Sequence, residues 1–347
     1  MTIVSVLQAP ILGQRPTSEF SIRWSDYFTG TTLGARNQLR RTTAVINTNK
    51  TPLNLLITFS PPPRAYAHLV ELATGTSYSD VSIWDKDLTR GCRAFIDGVL
   101  SDLNNVKAIG TITLDFSPLF HQPLMEKSAS GWQLRIGDPA AKEDFGYWAL
   151  KKYGGGGPLR DAWGEKVQGP KSAIPFTFEN RFNDRSWVDL WQWAEHSSSE
   201  YIYAVAKPIR DKYVDVPLQI IIPDSLISAK NPTISHLVAI MNYLHAVPIK
   251  PNGVNYDAIA VARLSTMQAR SKSTIRKELQ FGEIQADTAV MMPAADLVLN
   301  DQNAIAEVEA IAKEMHCSII EEAQINSYNL EKLKRLIVPT ISRIETQ

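Results

Sequence analysis

The sequence predicts a mixed α/β fold of the α+β class, with an N-terminal β-α-β-α-β sheet carrying helices and a C-terminal part that is mostly helical with a few strands. Three observations carry this reading. Apolar runs of strand length lie at residues 53–59 and 106–116. Between them, Leu88, Cys92, Phe95, Ile96, Val99, Leu100 and Leu103 recur at spacings of three and four, the stripe of an amphipathic helix. A chain of 347 residues with 44% apolar and 21% charged side chains has the composition of packed domains and not of a disordered polymer.

The elements follow in order. Residues 3–7, 20–24 and 43–47 read as short strands that add antiparallel partners to the sheet. The strand at 53–59 ends at Pro61, Pro62 and Pro63, since proline cannot donate within a central strand. Residues 64–74 read as a helix with Ala65, His68, Leu69 and Leu72 on one stripe, and 81–84 as a strand. Asp87 is the expected N-cap of the helix that runs to Leu103. Residues 106–116 alternate as a strand does.

Residues 131–171 change character. Trp132, Tyr147, Trp148, Tyr153 and Trp163 are interleaved with lysines, arginines and four consecutive glycines, 154–157. This divides the chain into a mixed α/β domain (1–130), an aromatic, basic, glycine-rich loop or linker (131–171) and an α+β domain with a helical, acidic C-terminus (172–347). In the last part, residues 173–178, 201–206 and 214–222 read as strands. Ser186, three residues before Asp189, reads as the cap of a helix with Trp187, Leu190, Trp191 and Ala194 on its apolar face. Ile234, Leu237, Val238, Met241 and Leu244 form another helical stripe, as do Ala304, Val308, Ile311 and Met315. Leu330, Leu333 and Ile337 read as a last helix ended by Pro339.

Charge is balanced overall, 36 basic against 36 acidic residues, which argues against a wholly basic nucleic-acid binder. It is unevenly spread. Residues 1–50 hold six basic side chains against two acidic, and 263–281 hold five against one. Residues 283–331 hold ten acidic side chains against Lys313 alone. Two cysteines, Cys92 and Cys317, exclude a disulfide scaffold. The first ten residues lack a basic, then apolar, leader, and no run reaches membrane-span length, so neither a signal peptide nor a membrane is expected. The expected location is the cytoplasm or a virion-like assembly.

The motifs are weak. Gly164 to Ser172 nearly matches a phosphate loop, but Pro170 intervenes before Lys171 and a strand, not a helix, is expected to follow. Asp85 and Asp87, one residue apart after an expected strand, have the spacing to share a divalent metal, although a helix cap explains Asp87 equally. His196, His245 and His316 fall near expected helix ends, His68 falls on an apolar face, and His121 and His236 have no assigned place. H-E-x-x-H, C-x-x-C and G-x-S-x-G do not occur, so no zinc site of ordinary spacing, no hydrolase elbow and no cofactor are expected.

Trp148, Lys151, Lys152, Tyr153 and Arg160 have the composition that holds single-stranded nucleic acid, rings for bases and cations for phosphates. Arg36, Arg40, Arg41, Lys171, Arg263, Arg270, Lys272, Arg276 and Lys277 are the remaining phosphate candidates. The resulting expectation is a self-associating structural protein contacting nucleic acid, such as a coat protein, a nucleoprotein or a filament subunit. The alternatives are a metal-dependent enzyme using Asp85 and Asp87 on phosphate-containing substrates, and a protein-binding subunit of a larger complex.

Overall fold

The structure, a computed structural model, describes residues 18–28, 34–49, 51–63, 66–106, 108–128, 131–164, 173–228, 231, 233–251, 253–274, 288–292, 302–315, 317–321 and 335–338. Strand β1 (Ser18–Arg23) is followed by the helical turn Trp24–Tyr27 and helix α1 (Ala35–Asn49). Strand β2 (Leu53–Thr58) leads to the hairpin β3 (His68–Val70) and β4 (Ser77–Val81), then α2 (Lys86–Asp102) and β5 (Ile109–Asp115). A second hairpin, β6 (Met125–Ser128) and β7 (Gly131–Leu134), precedes α3 (Pro139–Tyr153), α4 (Gly156–Trp163) and the long α5 (Asp184–Lys212). Then come β8 (Leu218–Ile221), α6 (Ser235–Tyr243), β9 (Ala246–Ile249), α7 (Ala258–Thr274), β10 (Thr288–Met292), α8 (Gln302–Met315), β11 (Ser318–Glu321) and β12 (Arg335–Ile337).

The class is the expected mixed α/β one. Five strands form a sheet in the order β1-β2-β5-β8-β9, every pair parallel. A separate parallel sheet has the order β11-β10-β12. Successive strands of the larger sheet are spatial neighbours, and crossovers of one hand place their helices on one face. The register shows which face. Phe20, Leu55, Ile112, Leu218 and Ala246 form one row, and Ile22, Ile57, Leu114, Ile220 and Pro248 the next. All but Phe20 of these are buried. The alternate rows are mostly half-buried or exposed, Val247 excepted, and carry the polar side chains Ser21, Arg23, Asn54, Thr58, Thr113, Asp115 and Gln219.

The helices lie where their apolar stripes dictate. Leu88, Cys92, Phe95, Ile96 and Val99 of α2 are buried, and burial pushes the Cys92 thiol up to about 12. The cap of α2 is Asp85, whose Oδ1 accepts from Asp87 N at 2.7 Å, so the cap lies two residues before the expected one. In α5 the cap is Asn183, with Ser186 completing a reciprocal capping box three residues on.

Other expectations are corrected. Residues 43–47 belong to α1, where Leu39, Thr43 and Ile46 are buried at helical spacing. Residues 201–206 continue α5: Tyr201, Ile202, Val205 and Ala206 prolong the stripe of Trp187, Leu190 and Trp191, and β-rich composition yields to that period. Of the expected helix at 64–74, residues 68–70 are strand β3, because they pair with β4 across the turn at Gly75. Residues 173–178 form no strand. Ile337 lies in β12 and not in a helix; Leu330, Leu333 and residues 3–7 lie outside the described residues. Among the described residues no helix is long and apolar enough to cross a membrane.

One buried anion ties the first two βα units together. Asp102 ends α2, where the helix carbonyls disfavour negative charge. Tyr27 Oη donates to its Oδ2 at 2.6 Å, Arg36 Nε to Oδ2 at 2.9 Å and Arg40 Nε to Oδ1 at 2.9 Å. Burial alone raises this carboxyl, but the three donors outweigh it and hold it below the ordinary 3.8. Asp102→Ala should therefore cost about 2–3 kcal/mol in urea unfolding, discounted for the partly exposed arginines. Because the folded value is depressed, this stability is whole above the unfolded value and is lost as pH falls through the folded one. The wild-type and Asp102→Ala stability curves should converge in that acid range.

Candidate functional site

All five strands of the main sheet end at the same edge, where loops in parallel α/β proteins gather their ligands. At that edge, on the face the helices leave open, Arg23, Thr58, Asp115, Ile221 and Ile249 share one row of the register. The row beneath is Ser21, Leu56, Thr113, Gln219 and Val247, and there Thr113 Oγ1 donates to Gln219 Oε1 at 3.1 Å. Arg23 is exposed, and Thr58 and Asp115 are half-buried. Asp115 Oδ1 accepts from Ser117 N at 3.0 Å, which fixes the carboxylate at the turn after β5. Its Oδ2 has no protein donor among the described residues. With strands spaced about 4.8 Å apart, the guanidinium-bearing and carboxylate-bearing backbones are roughly 10 Å apart with Thr58 between them.

The loops after β5 and β8 and the first half of α5 line a small cleft. Phe120 and Trp191 give it apolar wall, and Glu195, Ser198, Ser225 and Asn231 give it polar groups. Ser225 Oγ donates to Phe120 O at 2.5 Å and so links the two loops. The Trp191 indole N–H is buried and has no protein acceptor among the described residues.

The basic residues singled out in the sequence have other work. Arg36 and Arg40 are held by Asp102, as described above. Lys152 Nζ donates to Asp189 Oδ1 at 2.7 Å; Tyr153 Oη and Trp163 Nε1 each donate to Asp189 Oδ2 at 2.6 Å. Arg263 is fully buried and its Nη1 donates to the carbonyls of Ser228 and Asn231 at 3.0 and 2.5 Å. Trp148 packs partly buried in the core with Lys152 over its ring. Arg41, Lys151 and Arg160 are exposed and lie on three different helices, α1, α3 and α4. The side chains of Arg270 and Lys272, on α7, and all of Lys171, Arg276 and Lys277 lie outside the described residues.

The glycine run is a helix junction. Gly154 (φ +74°) caps α3 by donating to Leu150 and Lys151 carbonyls, and Gly155 (φ +136°) opens α4. Both conformations disfavour any residue with a Cβ. The near phosphate-loop match at 165–172 lies outside the described residues. Asp85 uses Oδ1 for its cap and accepts from Ala67 N at 2.6 Å through Oδ2, while exposed Asp87 pairs with Arg90.

No family model and no curated protein matches this sequence. The fold is similar to a polyextremophilic β-galactosidase from the Antarctic haloarchaeon Halorubrum lacusprofundi, with TM-score 0.58, 11% identity and 93% of this chain covered. It is also similar to a cold-adapted β-galactosidase from Rahnella sp. R3, with TM-score 0.52, 9% identity and 92% covered. The chain spans 65% and 62% of the lengths of those two proteins. The likeness is one of fold. It corrects the expectation of a nucleic-acid-contacting coat, nucleoprotein or filament subunit, because the fold is similar to that of two β-galactosidases and four of the seven described basic candidates, Arg36, Arg40, Lys152 and Arg263, serve buried acceptors. None of the three functions read from charge and motifs anticipated it.

The polar row at the sheet edge was missed because one sequence does not give strand register, and alternation alone does not say which polar residues line up. Its signal was present in part: Asp115 ends a strand whose period was legible. The Asp189 hub also sets a stability expectation. Asp189→Ala strands a lysine, a phenol and an indole, and should cost about 3 kcal/mol in thermal or urea unfolding.

Proposed function

We propose that this chain is a carbohydrate-active protein that holds a small saccharide at the carboxyl edge of its five-stranded sheet. The observation that carries this reading is the row Arg23, Thr58 and Asp115 on the open, polar face. Sugar hydroxyls need donors and acceptors placed together, and this row supplies a guanidinium, a hydroxyl and a carboxylate oxygen within one ligand's reach. The loops after β5 and β8 add aromatic wall from Phe120 and Trp191 at the same end of the sheet. The likeness in fold to two β-galactosidases supports saccharide as the ligand class.

Titration of the purified chain with galactose, lactose and other short saccharides, followed by calorimetry or backbone NMR, tests this. Shifts should centre on residues 23, 58 and 115. Asp115→Asn and Arg23→Ala should each weaken binding by roughly tenfold, about 1.4 kcal/mol, without changing the circular dichroism spectrum. Absence of any saccharide response, or a response that both variants leave intact, overturns the reading.

A further inference from the structure

On the helical layer, three side chains that no sequence motif joined come together. His196 and Glu200 are four residues apart on α5 and so share a face, and His236 stands in the first turn of α6. The two imidazole centroids are 4.3 Å apart, and His236 Nε2 lies 2.7 Å from Glu200 Oε1. One ligand-type atom from each of the three falls within 4.8 Å of the others. Ligand atoms at about 2 Å from a tetrahedral zinc are about 3.3 Å apart, so a small closure of side chains completes the set.

The backbone beneath is already fixed. Buried Glu195, next in sequence to His196, accepts from Leu237 N at 2.8 Å, and Leu237 is next to His236. That bond sets the start of α6 against the middle of α5 and brings the two histidines together, their rings tilted at 51°. Ser199 Oγ, donating to the same Glu195 oxygen at 3.2 Å, steadies the carboxylate. The Trp148 ring, 6.5 Å from the His196 ring, gives one wall an apolar character, while His236 and Glu200 remain 32% and 46% exposed. An ion has an open approach from solvent.

We infer that His196, Glu200 and His236 form a binding site for a divalent transition-metal ion of the zinc class, with water in the fourth position. Two imidazoles and one carboxylate, leaving one position open, is a donor set that suits zinc, cobalt or nickel and not the all-oxygen preference of calcium or magnesium. The site is built from helix residues and does not depend on the saccharide reading.

The test uses the full chain, free of any histidine tag and stripped with a chelator, titrated calorimetrically with Zn²⁺ and separately with Co²⁺ under visible absorption. The expected result is one Zn²⁺ per chain, a raised melting temperature and tetrahedral Co²⁺ bands. His236→Asn and Glu200→Gln alter partly exposed side chains and should keep the fold, checked by circular dichroism. Each should weaken Zn²⁺ binding by roughly tenfold or more and remove the Co²⁺ bands. No stoichiometric binding, or binding unchanged in both variants, overturns the proposal; neither outcome bears on the saccharide titration.

Discussion

A parallel sheet is ordinarily dry on both faces, because its crossovers bury it between helices, and its strands then read as unbroken apolar runs. The main sheet here obeys that rule on one side only. Leu53, Leu55 and Ile57 of β2 are buried, while Asn54, Leu56 and Thr58, which alternate with them, are half-buried. Strict alternation in parallel strands has one physical consequence: one face makes the core and the other must present polar groups to something. The polar row at the carboxyl edge follows from that asymmetry.

Part of this chain's charge is used inside it. Asp102 and Asp189 are buried carboxylates, each surrounded by donors drawn from distant segments: Tyr27, Arg36 and Arg40 for one, Lys152, Tyr153 and Trp163 for the other. A buried anion is costly unless several donors reach it, and the basic runs near residues 36–41 and 148–153 supply those donors. Clustering of arginine and lysine in a sequence is therefore compatible with internal neutralisation, and net charge by segment does not say which way the side chains face.

Much of the fold was legible where one period dominated. The stripe from Leu88 to Val99 and the alternation of residues 109–115 are found where they were expected. Errors arose where composition and period disagreed. Tyr201 to Ala206 is rich in β-formers yet continues a helix begun at Asp184, and splitting that helix separated His196 from Glu200. The i, i+4 pair was in plain view once the helix was whole. His236, by contrast, reaches the pair only through tertiary packing, and the row joining Arg23 to Asp115 depends on register across three strands; neither is written in any local pattern.

Arg263 gives the loop after β8 an unusual support. A guanidinium that is always charged and fully buried satisfies the carbonyls of Ser228 and Asn231 from the helix behind them. Asn231 also lines the cleft beside the sheet edge. At Ser228 and Asn231 the wall is thus anchored to α7. A ligand bound against Asn231 would meet a side chain whose backbone carbonyl is already held, so less conformational entropy would be lost there on binding.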